Sequence, residues 1–210
     1  ALALTDHEGL YGAVEFYRLA KDAGLRPIIG AEVTIEGGYH LTLLAEGQEG
    51  YGNLCSLVTL AHRDRPKGEA CLRLDDLGRY SRGIIALSGC RRGPLAASIS
   101  AGNTSEARLW ARRLADIFPR GYFYVELQRH FLHGEDRLVK ELVGLARGRW
   151  KMAYRRPGGE NAMPSNPRLV TRLAHVAGRM SYVGTSSVPL SVPSGTNRST
   201  TIPPCDTRAM

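Results

Sequence analysis

The segment Thr5-Asp6-His7-Glu8 combines residue types suited to metal chemistry with residue types suited to helix capping. Thr5 and Glu8 have the spacing of a capping box, in which each side chain bonds to a free backbone N–H group at the start of a helix. This interpretation explains Thr5 and Glu8 without a functional role, but it does not explain His7. Because a neutral imidazole at the end of a strand can bind a metal ion, we treat His7 as a candidate ligand.

Glu32 is a single carboxylate within an apolar, β-branched run that ends at Ile35. If both faces of this strand are buried, an unpaired carboxylate would be costly, and it would need a cation or a metal ion beside it. If one face is exposed, Glu32 points outward in alternation with Ala31 and Val33. The sequence leaves both alternatives open.

His62 and Cys90 are two further candidate ligands for which simpler explanations exist. His62 ends a predicted helix, where a cation interacts favourably with the helix dipole. Cys90 directly follows a predicted strand, and a small buried thiol is the commoner fate of a cysteine. Neither residue is distinctive by itself.

Short strands and helices alternate along the first 147 residues. Periodicity and turn residues predict strands at 1–4, 27–35, 39–45, 83–87 and 122–127, and helices at 9–23, 51–62, 72–80, 95–101, 105–118 and 135–147. Alternation at this spacing predicts an α/β fold, either a mostly parallel sheet or a (β/α) barrel. In both architectures functional side chains gather where strands end and helices begin.

The chain divides into two regions of different composition. Residues 1–148 carry 19 Lys and Arg against 18 Asp and Glu, whereas residues 149–210 carry 9 against 2, so most of the net charge of +8 lies in the second region. The second region also holds 7 of the 11 prolines. We therefore predict one folded domain at 1–148, followed at 149–210 by an irregular, basic tail rich in Pro, Ser and Arg.

Membrane and secreted classes are disfavoured. No apolar run approaches the roughly 20 residues that a spanning helix needs, and no signal peptide precedes the first motif. The four cysteines form no C-x-x-C pair, so reduced thiols are expected. The sequence thus predicts a soluble, cytoplasmic protein with no membrane partner.

Several blocks of sequence resemble a known family. They are Ala1-Leu2-Ala3-Leu4-Thr5-Asp6-His7, Pro27-Ile28-Ile29-Gly30-Ala31-Glu32, Ser88-Gly89-Cys90-Arg91-Arg92-Gly93 and Tyr124-Val125-Glu126-Leu127-Gln128-Arg129-His130. They resemble the polymerase and histidinol phosphatase (PHP) domain at the front of bacterial C-family DNA polymerases, which comprise the alpha subunit of polymerase III and its error-prone relative. The last two blocks are more similar to the error-prone type. The resemblance covers roughly residues 1–147 and implies an incomplete, distorted (β/α) barrel of the PHP type.

The resemblance also implies a set of metal ligands. At the positions that metal-binding members use, this chain has His7, Glu32, His62 and Cys90. Imidazole, carboxylate and thiolate together suit Zn²⁺ or a mixed site of Zn and Mn type. Asp6 is expected to support the site without binding the metal, by orienting His7 or by capping the next helix. His130 and His133 are expected to be solvated loop residues.

Two ligand motifs of the family have no counterpart in this sequence. The family has an H-x-H on a strand before Ala1 and a D-x-H on a strand after the last predicted helix. We expect that the first was lost by truncation, and that residues 149–210 are either an off-frame translation or a disordered tail. With fewer ligands, we expect weak metal occupancy and little or no nuclease activity for these residues alone.

The function that the resemblance implies is that of an error-prone DNA polymerase, a nucleotidyltransferase in replication and damage-tolerant repair. DNA, deoxynucleotides and Mg²⁺ would be bound by the parent polymerase. The PHP region would hydrolyse a phosphodiester as a metal-dependent 3′-to-5′ exonuclease, with catalytic side chains that the sequence does not identify. Arg91 and Arg92 could clamp a substrate phosphate, or could be two solvated arginines. The alternatives are a stand-alone phosphatase of the same superfamily and a non-catalytic structural module.

Overall fold

A computed structural model describes residues 1–128 and 135–147 fully, and residues 151–155 and 181–182 as backbone strands. The strands are β1 (Leu2–His7), β2 (Pro27–Ile35), β3 (Tyr39–Ala45), β4 (Ile84–Leu87), β5 (Phe123–Gln128), β6 (Lys151–Arg155) and β7 (Ser181–Tyr182). The helices are α1 (Ala13–Asp22), α2 (Gly47–His62), α3 (Leu74–Arg79), α4 (Pro94–Ser100), α5 (Thr104–Ile117) and α6 (Glu135–Ala146), and a 3₁₀ turn, Glu36–Gly38, joins β2 to β3. The predicted elements are confirmed in type and order, with shifted ends.

The strands form one mixed sheet in the order β6-β5-β4-β3-β2-β1-β7. β1 pairs in parallel with β2 and β7, and β5 pairs in parallel with β4 and β6. β3 is antiparallel to both of its neighbours, because the short turn at Glu36–Gly38 reverses the chain after β2. The α/β class and the incomplete, distorted (β/α) barrel are confirmed, with a central antiparallel strand that periodicity alone did not predict.

The two faces of the sheet have different roles. One face is covered by helices α2 to α6, and alternate residues of β2 and β3 enter this main core: Ala31, Val33, Ile35, Leu41 and Leu43. The opposite face carries a smaller apolar cluster of Leu44, Ile85, Leu87 and Tyr124. Because side chains alternate along a strand, residues of even number in β2 and β3 belong to this second face. The second face therefore presents Glu32 and His40 away from the main core.

The start of α1 differs from the sequence prediction. The capping box at Thr5 and Glu8 is wrong, because β1 continues to His7 and buries Thr5, and the helix begins only at Ala13. The backbone N–H of Gly12 is instead bonded to Asp6 Oδ2 at 2.8 Å. Glu8 adopts a left-handed conformation with a φ of 54°, which turns the chain between strand and helix.

The residues that α1 buries are small ones. Val14 and Tyr17 are exposed, whereas the small side chains of Ala13 and Ala20 are buried. Small residues allow a helix to lie close to the strands that it covers, so α1 packs through its alanines and leaves its larger side chains on the surface.

The predicted tail contributes two short backbone strands to the sheet. β6 pairs with β5, and β7 pairs with β1. The other residues of 149–210, and also His130 and His133, lie outside the described residues, so the domain boundary at 148 stays a prediction. Within the described part of the chain, no helix has both the length and the apolarity to span a bilayer.

Candidate metal centre

The register of three neighbouring strands brings His7, Glu32 and His40 together. His7 is directly opposite Glu32 in the parallel pair of β1 and β2. His40 is opposite Thr34 in the antiparallel pair of β2 and β3, so it is diagonal to Glu32 on the same face. The last residue of β1 and the second residue of β3 thus lie on either side of the Glu32 carboxylate.

The side chains of these three residues are in direct contact. Nδ1 of His7 lies 3.0 Å from Oε1 of Glu32, and Nδ1 of His40 lies 3.2 Å from the same oxygen. The two imidazole rings are tilted at 46°, with their centroids 5.0 Å apart. His40 is buried, Glu32 is largely buried, and His7 is half exposed. One carboxylate oxygen is therefore shared by two imidazoles at the edge of the sheet.

The protonation of the cluster follows from this arrangement. Burial by itself raises the pKa of the Glu32 carboxyl, but the hydrogen bonds from His40 and His7 outweigh it and hold the pKa well below its usual range. The hydrogen bond to Glu32 raises the pKa of His7 above its ordinary value, against the opposing effect of partial burial. Glu32 is an anion at neutral pH, and it attracts either a proton on His7 or another cation.

Cys90 reaches the cluster from the turn that follows β4. Its Sγ lies 3.8 Å from Nδ1 of His40. Gly89 has a φ of 84°, and a Cβ at this position would lie 2.1 Å from the His40 carbonyl oxygen. The backbone N–H of His40 donates to the carbonyl of Arg92 at 3.1 Å. The turn is therefore fixed against the backbone of His40, which places the thiol beside the imidazole.

The thiol of Cys90 is neutral in these surroundings. Burial raises its pKa, and the nearby carboxylates of Glu32 and Glu126 raise it further, while a hydrogen bond from the Arg92 backbone opposes them. A bound cation would reverse this effect, because it would stabilise the thiolate.

His62 is placed differently from the other predicted ligands. It is the last residue of α2, and its Nε2 lies 2.7 Å from the backbone oxygen of Glu8. A carbonyl oxygen only accepts, so this Nε2 carries the hydrogen. Among the described residues, the group of donors that lie within 4.8 Å of one another comprises His7, Glu32 and His40, without His62.

Asp6, Arg91 and Arg92 border the site. The carboxylate of Asp6 caps the first turn of α1 through Gly12, on the opposite side of β1 from His7 by strand alternation. The side chains of both arginines are exposed. The hydrogen bond to Glu32 raises the pKa of His7, and the positive charge of Arg92 opposes this effect.

The donor set fits a divalent metal ion of the transition series. Zn²⁺ ligands lie about 2.0 to 2.3 Å from the ion, so two ligands of one ion are separated by no more than about twice that distance. The donor atoms of His7, Glu32 and His40 all lie within 4.8 Å of one another, which is close to this limit. Two nitrogens, a carboxylate oxygen and an adjacent sulfur are the donor types that Zn²⁺ and related ions prefer.

His40 is the residue that sequence reasoning missed. It lies within the predicted strand 39–45, between the apolar side chains of Tyr39 and Leu41, where a single histidine has no motif to mark it. The signal becomes visible only when β2 and β3 are paired across the Gly37-Gly38 turn, because that register puts His40 on the same face as Glu32.

The fold and the donor cluster together define an incomplete α/β barrel domain with a candidate metal centre. A family model described as "PHP domain" matches residues 1–130, and the chain belongs to this family.

Relatives of known description agree with this assignment. The chain is 48% identical over 161 residues to "Error-prone DNA polymerase" of Symbiobacterium thermophilum, an alignment that covers 69% of this chain and 15% of that protein. It is 35% identical over 163 residues to "DNA polymerase III subunit alpha" of Borreliella burgdorferi, covering 70% of this chain and 14% of that protein. The chain thus spans about 15% of the length of these relatives.

A third relative aligns with a longer part of the chain. "Error-prone DNA polymerase" of Mycobacterium bovis is 33% identical over 193 residues, covering 86% of this chain and 18% of that protein. This share is more than residues 1–148 can provide, so the alignment extends into the region predicted as a tail.

Proposed function

We propose that the cluster of His7, Glu32, His40 and Cys90 binds a divalent metal ion and supports hydrolysis of a phosphodiester. The observation that carries this proposal is the shared Glu32 oxygen, which lies 3.0 Å from one imidazole nitrogen and 3.2 Å from another, with a thiol next to them. An anion that is largely buried needs a cation beside it, and this donor set suits Zn²⁺ or Mn²⁺ better than Mg²⁺.

The residues around the cluster have distinct roles in the proposed reaction. Glu32 supplies the fixed negative charge, and His7 is the exposed ligand that faces a substrate. A bound metal would supply a Lewis acid that polarises a phosphoryl oxygen and activates water. Arg91 and Arg92 follow the Cys90 turn with exposed guanidinium groups, which suit a phosphodiester through paired N–H donors.

We further propose that these residues are the PHP region of an error-prone DNA polymerase. The support is the similarity to two proteins of that description, at 48% and 33% identity. In such a protein the metal centre acts on the 3′ end of a DNA strand and removes nucleotides from it by exonuclease cleavage. DNA synthesis, with deoxynucleotides and Mg²⁺, and a cytoplasmic location belong to the same proposal for the whole polymerase.

The test is a comparison of metal content and nuclease activity in the full chain. The protein is purified with added Zn²⁺ or Mn²⁺, its metal is measured by plasma mass spectrometry, and it is incubated with single-stranded DNA labelled at the 5′ end. With the family's H-x-H and D-x-H ligands absent, we expect metal at low occupancy and at most slow shortening from the 3′ end, both lost in His7→Ala and both retained in the surface variant Glu15→Ala. Equal metal content in wild type and His7→Ala would refute the assignment.

The same assay separates the alternative functions. Release of phosphate from small phosphomonoesters without DNA shortening would favour a phosphatase. Bound metal without either activity would favour a structural role for the domain within the polymerase.

A further inference from the structure

Glu8 is a non-glycine residue in a left-handed conformation, directly after the candidate ligand His7. Its φ is 54°. A residue with a side chain is strained in this conformation, and such strain persists only where surrounding contacts enforce it.

Three hydrogen bonds hold Glu8 in place. Its backbone N–H donates to the carbonyl of Glu32 at 2.8 Å. Its Oε1 accepts from the backbone N–H of Thr34 at 2.6 Å. Its backbone carbonyl accepts from Nε2 of His62 at 2.7 Å. Glu8 is thereby tied to the backbone of Glu32 and Thr34 on β2 and to the end of α2.

The side chain of Glu8 is not explained by stability alone. Its second carboxylate oxygen, Oε2, is buried and has no hydrogen-bond partner among the described residues. Burying an unsatisfied oxygen is costly, and glycine would adopt the same backbone conformation without strain. A residue that is both strained and incompletely bonded next to a metal ligand indicates a functional constraint.

We propose that Glu8 and His62 are a positioning pair that fixes the direction of the His7 side chain at the metal centre. The carboxylate of Glu8 and the imidazole of His62 hold the residue after His7 in one conformation, so the His7 ring stays against Glu32. His62 then acts through the Glu8 carbonyl and does not bind the metal. The inference rests on the proposed metal site.

The donor geometry of His62 supports this role over direct ligation. Its Nε2 hydrogen is engaged by the Glu8 carbonyl, which leaves only Nδ1 with a free lone pair. His62 is also outside the group of donors that lie within 4.8 Å of one another.

The test uses two pairs of variants in the full chain. Glu8→Gln keeps an oxygen that accepts from Thr34, and His62→Gln keeps an N–H near the position of Nε2, whereas Glu8→Gly and His62→Ala remove these groups. Glu8→Gly tolerates the left-handed conformation, so it should fold. Zn²⁺ affinity is measured by competition with a chromophoric chelator, and the ligand set by the visible spectrum of bound Co²⁺.

We expect a loss of Zn²⁺ affinity of about 10-fold to 100-fold in Glu8→Gly and His62→Ala, which is typical of residues that orient a ligand. The two Gln variants should remain within about threefold of wild type, and His62→Gln should keep the wild-type Co²⁺ spectrum. A changed Co²⁺ spectrum in His62→Gln would make His62 a ligand and overturn the proposal. Equal affinity in Glu8→Gly and wild type would also overturn it.

A second readout does not depend on metal. In the metal-free protein, the ring nitrogen NMR signals of His7 report its hydrogen bond to Glu32. Glu8→Gly should shift these signals towards those of an exposed histidine, whereas Glu8→Gln should not. If wild type binds no metal but this shift occurs, the proposed function fails and the positioning role stands. If the His7 signals are unchanged in Glu8→Gly, the positioning role fails.

Discussion

Nδ1 of His40 lies 3.2 Å from Oε1 of Glu32, although the two residues belong to neighbouring antiparallel strands and are diagonal in the register. The same oxygen lies 3.0 Å from Nδ1 of His7 on the other neighbouring strand. Glu32 is therefore the centre of the site, because one of its carboxylate oxygens contacts both imidazoles.

Glu32→Gln should abolish most of the metal affinity. The substitution keeps the shape of the side chain and removes the charge that both imidazoles and a metal ion would neutralise. We expect Zn²⁺ affinity to fall by more than about tenfold, and the pKa of His7 to fall towards its ordinary value. Chelator competition and NMR titration measure the two effects. Glu15→Gln, an exposed carboxylate on α1, is the control and should change neither.

His40→Ala should lower both metal affinity and stability. His40 is buried and is a hydrogen-bond partner of Glu32, so its removal leaves the carboxylate under-bonded, at a cost of about 1 to 3 kcal/mol in the free energy of unfolding. In His40→Asn the amide can restore a donor near the position of Nδ1, so stability should recover while metal affinity should not. Recovery of full metal affinity in His40→Asn would remove His40 from the ligand set.

The fold was largely predictable from sequence, whereas the site was predictable only in part. Each strand and helix from β2 to α6 has the periodicity of its class, so local patterns located them. The start of α1 was not located, because Asp6 rather than Thr5 supplies the helix cap and Glu8 turns the chain in a left-handed conformation. Both features depend on contacts with Gly12 and with β2, which local spacing does not encode.

Sequence motifs identified some of the candidate ligands, whereas the roles of others depend on how the strands and helices pack. His7, Glu32 and Cys90 stand in recognisable motifs, and the structure places them around one position. His40 has no motif, and its role depends on the pairing of β2 with β3. His62 has a motif, but its contact with the Glu8 backbone depends on how α2 packs against the end of β1. Tertiary register, which a single sequence does not display, decides both cases.

The stability of the metal-free protein should depend on pH through His7 and Glu32. The pKa of His7 is raised in the folded state, so its contribution is complete below the ordinary value of 6.5 and is lost as pH rises through the raised pKa. The pKa of Glu32 is lowered, so its contribution is present above the ordinary value of 4.5 and is lost as pH falls towards the lowered pKa. The stabilisation that His7 and Glu32 provide should therefore be greatest between about pH 4.5 and pH 6.5.

Urea unfolding in the presence of a chelator measures this dependence. His7→Gln should flatten the loss of stability that begins as pH rises above 6.5, and an unchanged slope would contradict the assignment of His7. Metal affinity should change in the opposite direction over the same range, because a metal ion must displace the proton from His7 and therefore binds more tightly as pH rises.

Cys90 should react slowly with iodoacetamide in the metal-free protein at neutral pH. Burial and the carboxylates of Glu32 and Glu126 raise the pKa of its thiol, and only the thiolate is a strong nucleophile. The rate, followed by mass spectrometry of the Cys90 peptide, should still be rising at a pH where an ordinary thiol is already fully ionised. Glu32→Gln should move the profile to lower pH, and an identical profile in that variant would contradict the electrostatic coupling.

Gly89→Ala should destabilise the domain and disrupt the site together. Gly89 has a φ of 84°, and an added Cβ would lie 2.1 Å from the His40 carbonyl oxygen, so the turn that carries Cys90 would be pushed away from β3. Gly102→Ala is the matched control, because Gly102 has a φ of 80° but no atom within 4 Å of an added Cβ. The free energy of unfolding of Gly102→Ala should fall by only roughly 1 to 2 kcal/mol, from backbone strain at a positive φ, and its metal affinity should not change. Gly89→Ala should lose more stability than this and most of its metal affinity, as measured by urea unfolding and chelator competition. Equal losses in the two variants would show that close packing of the turn on His40 does not hold the site together.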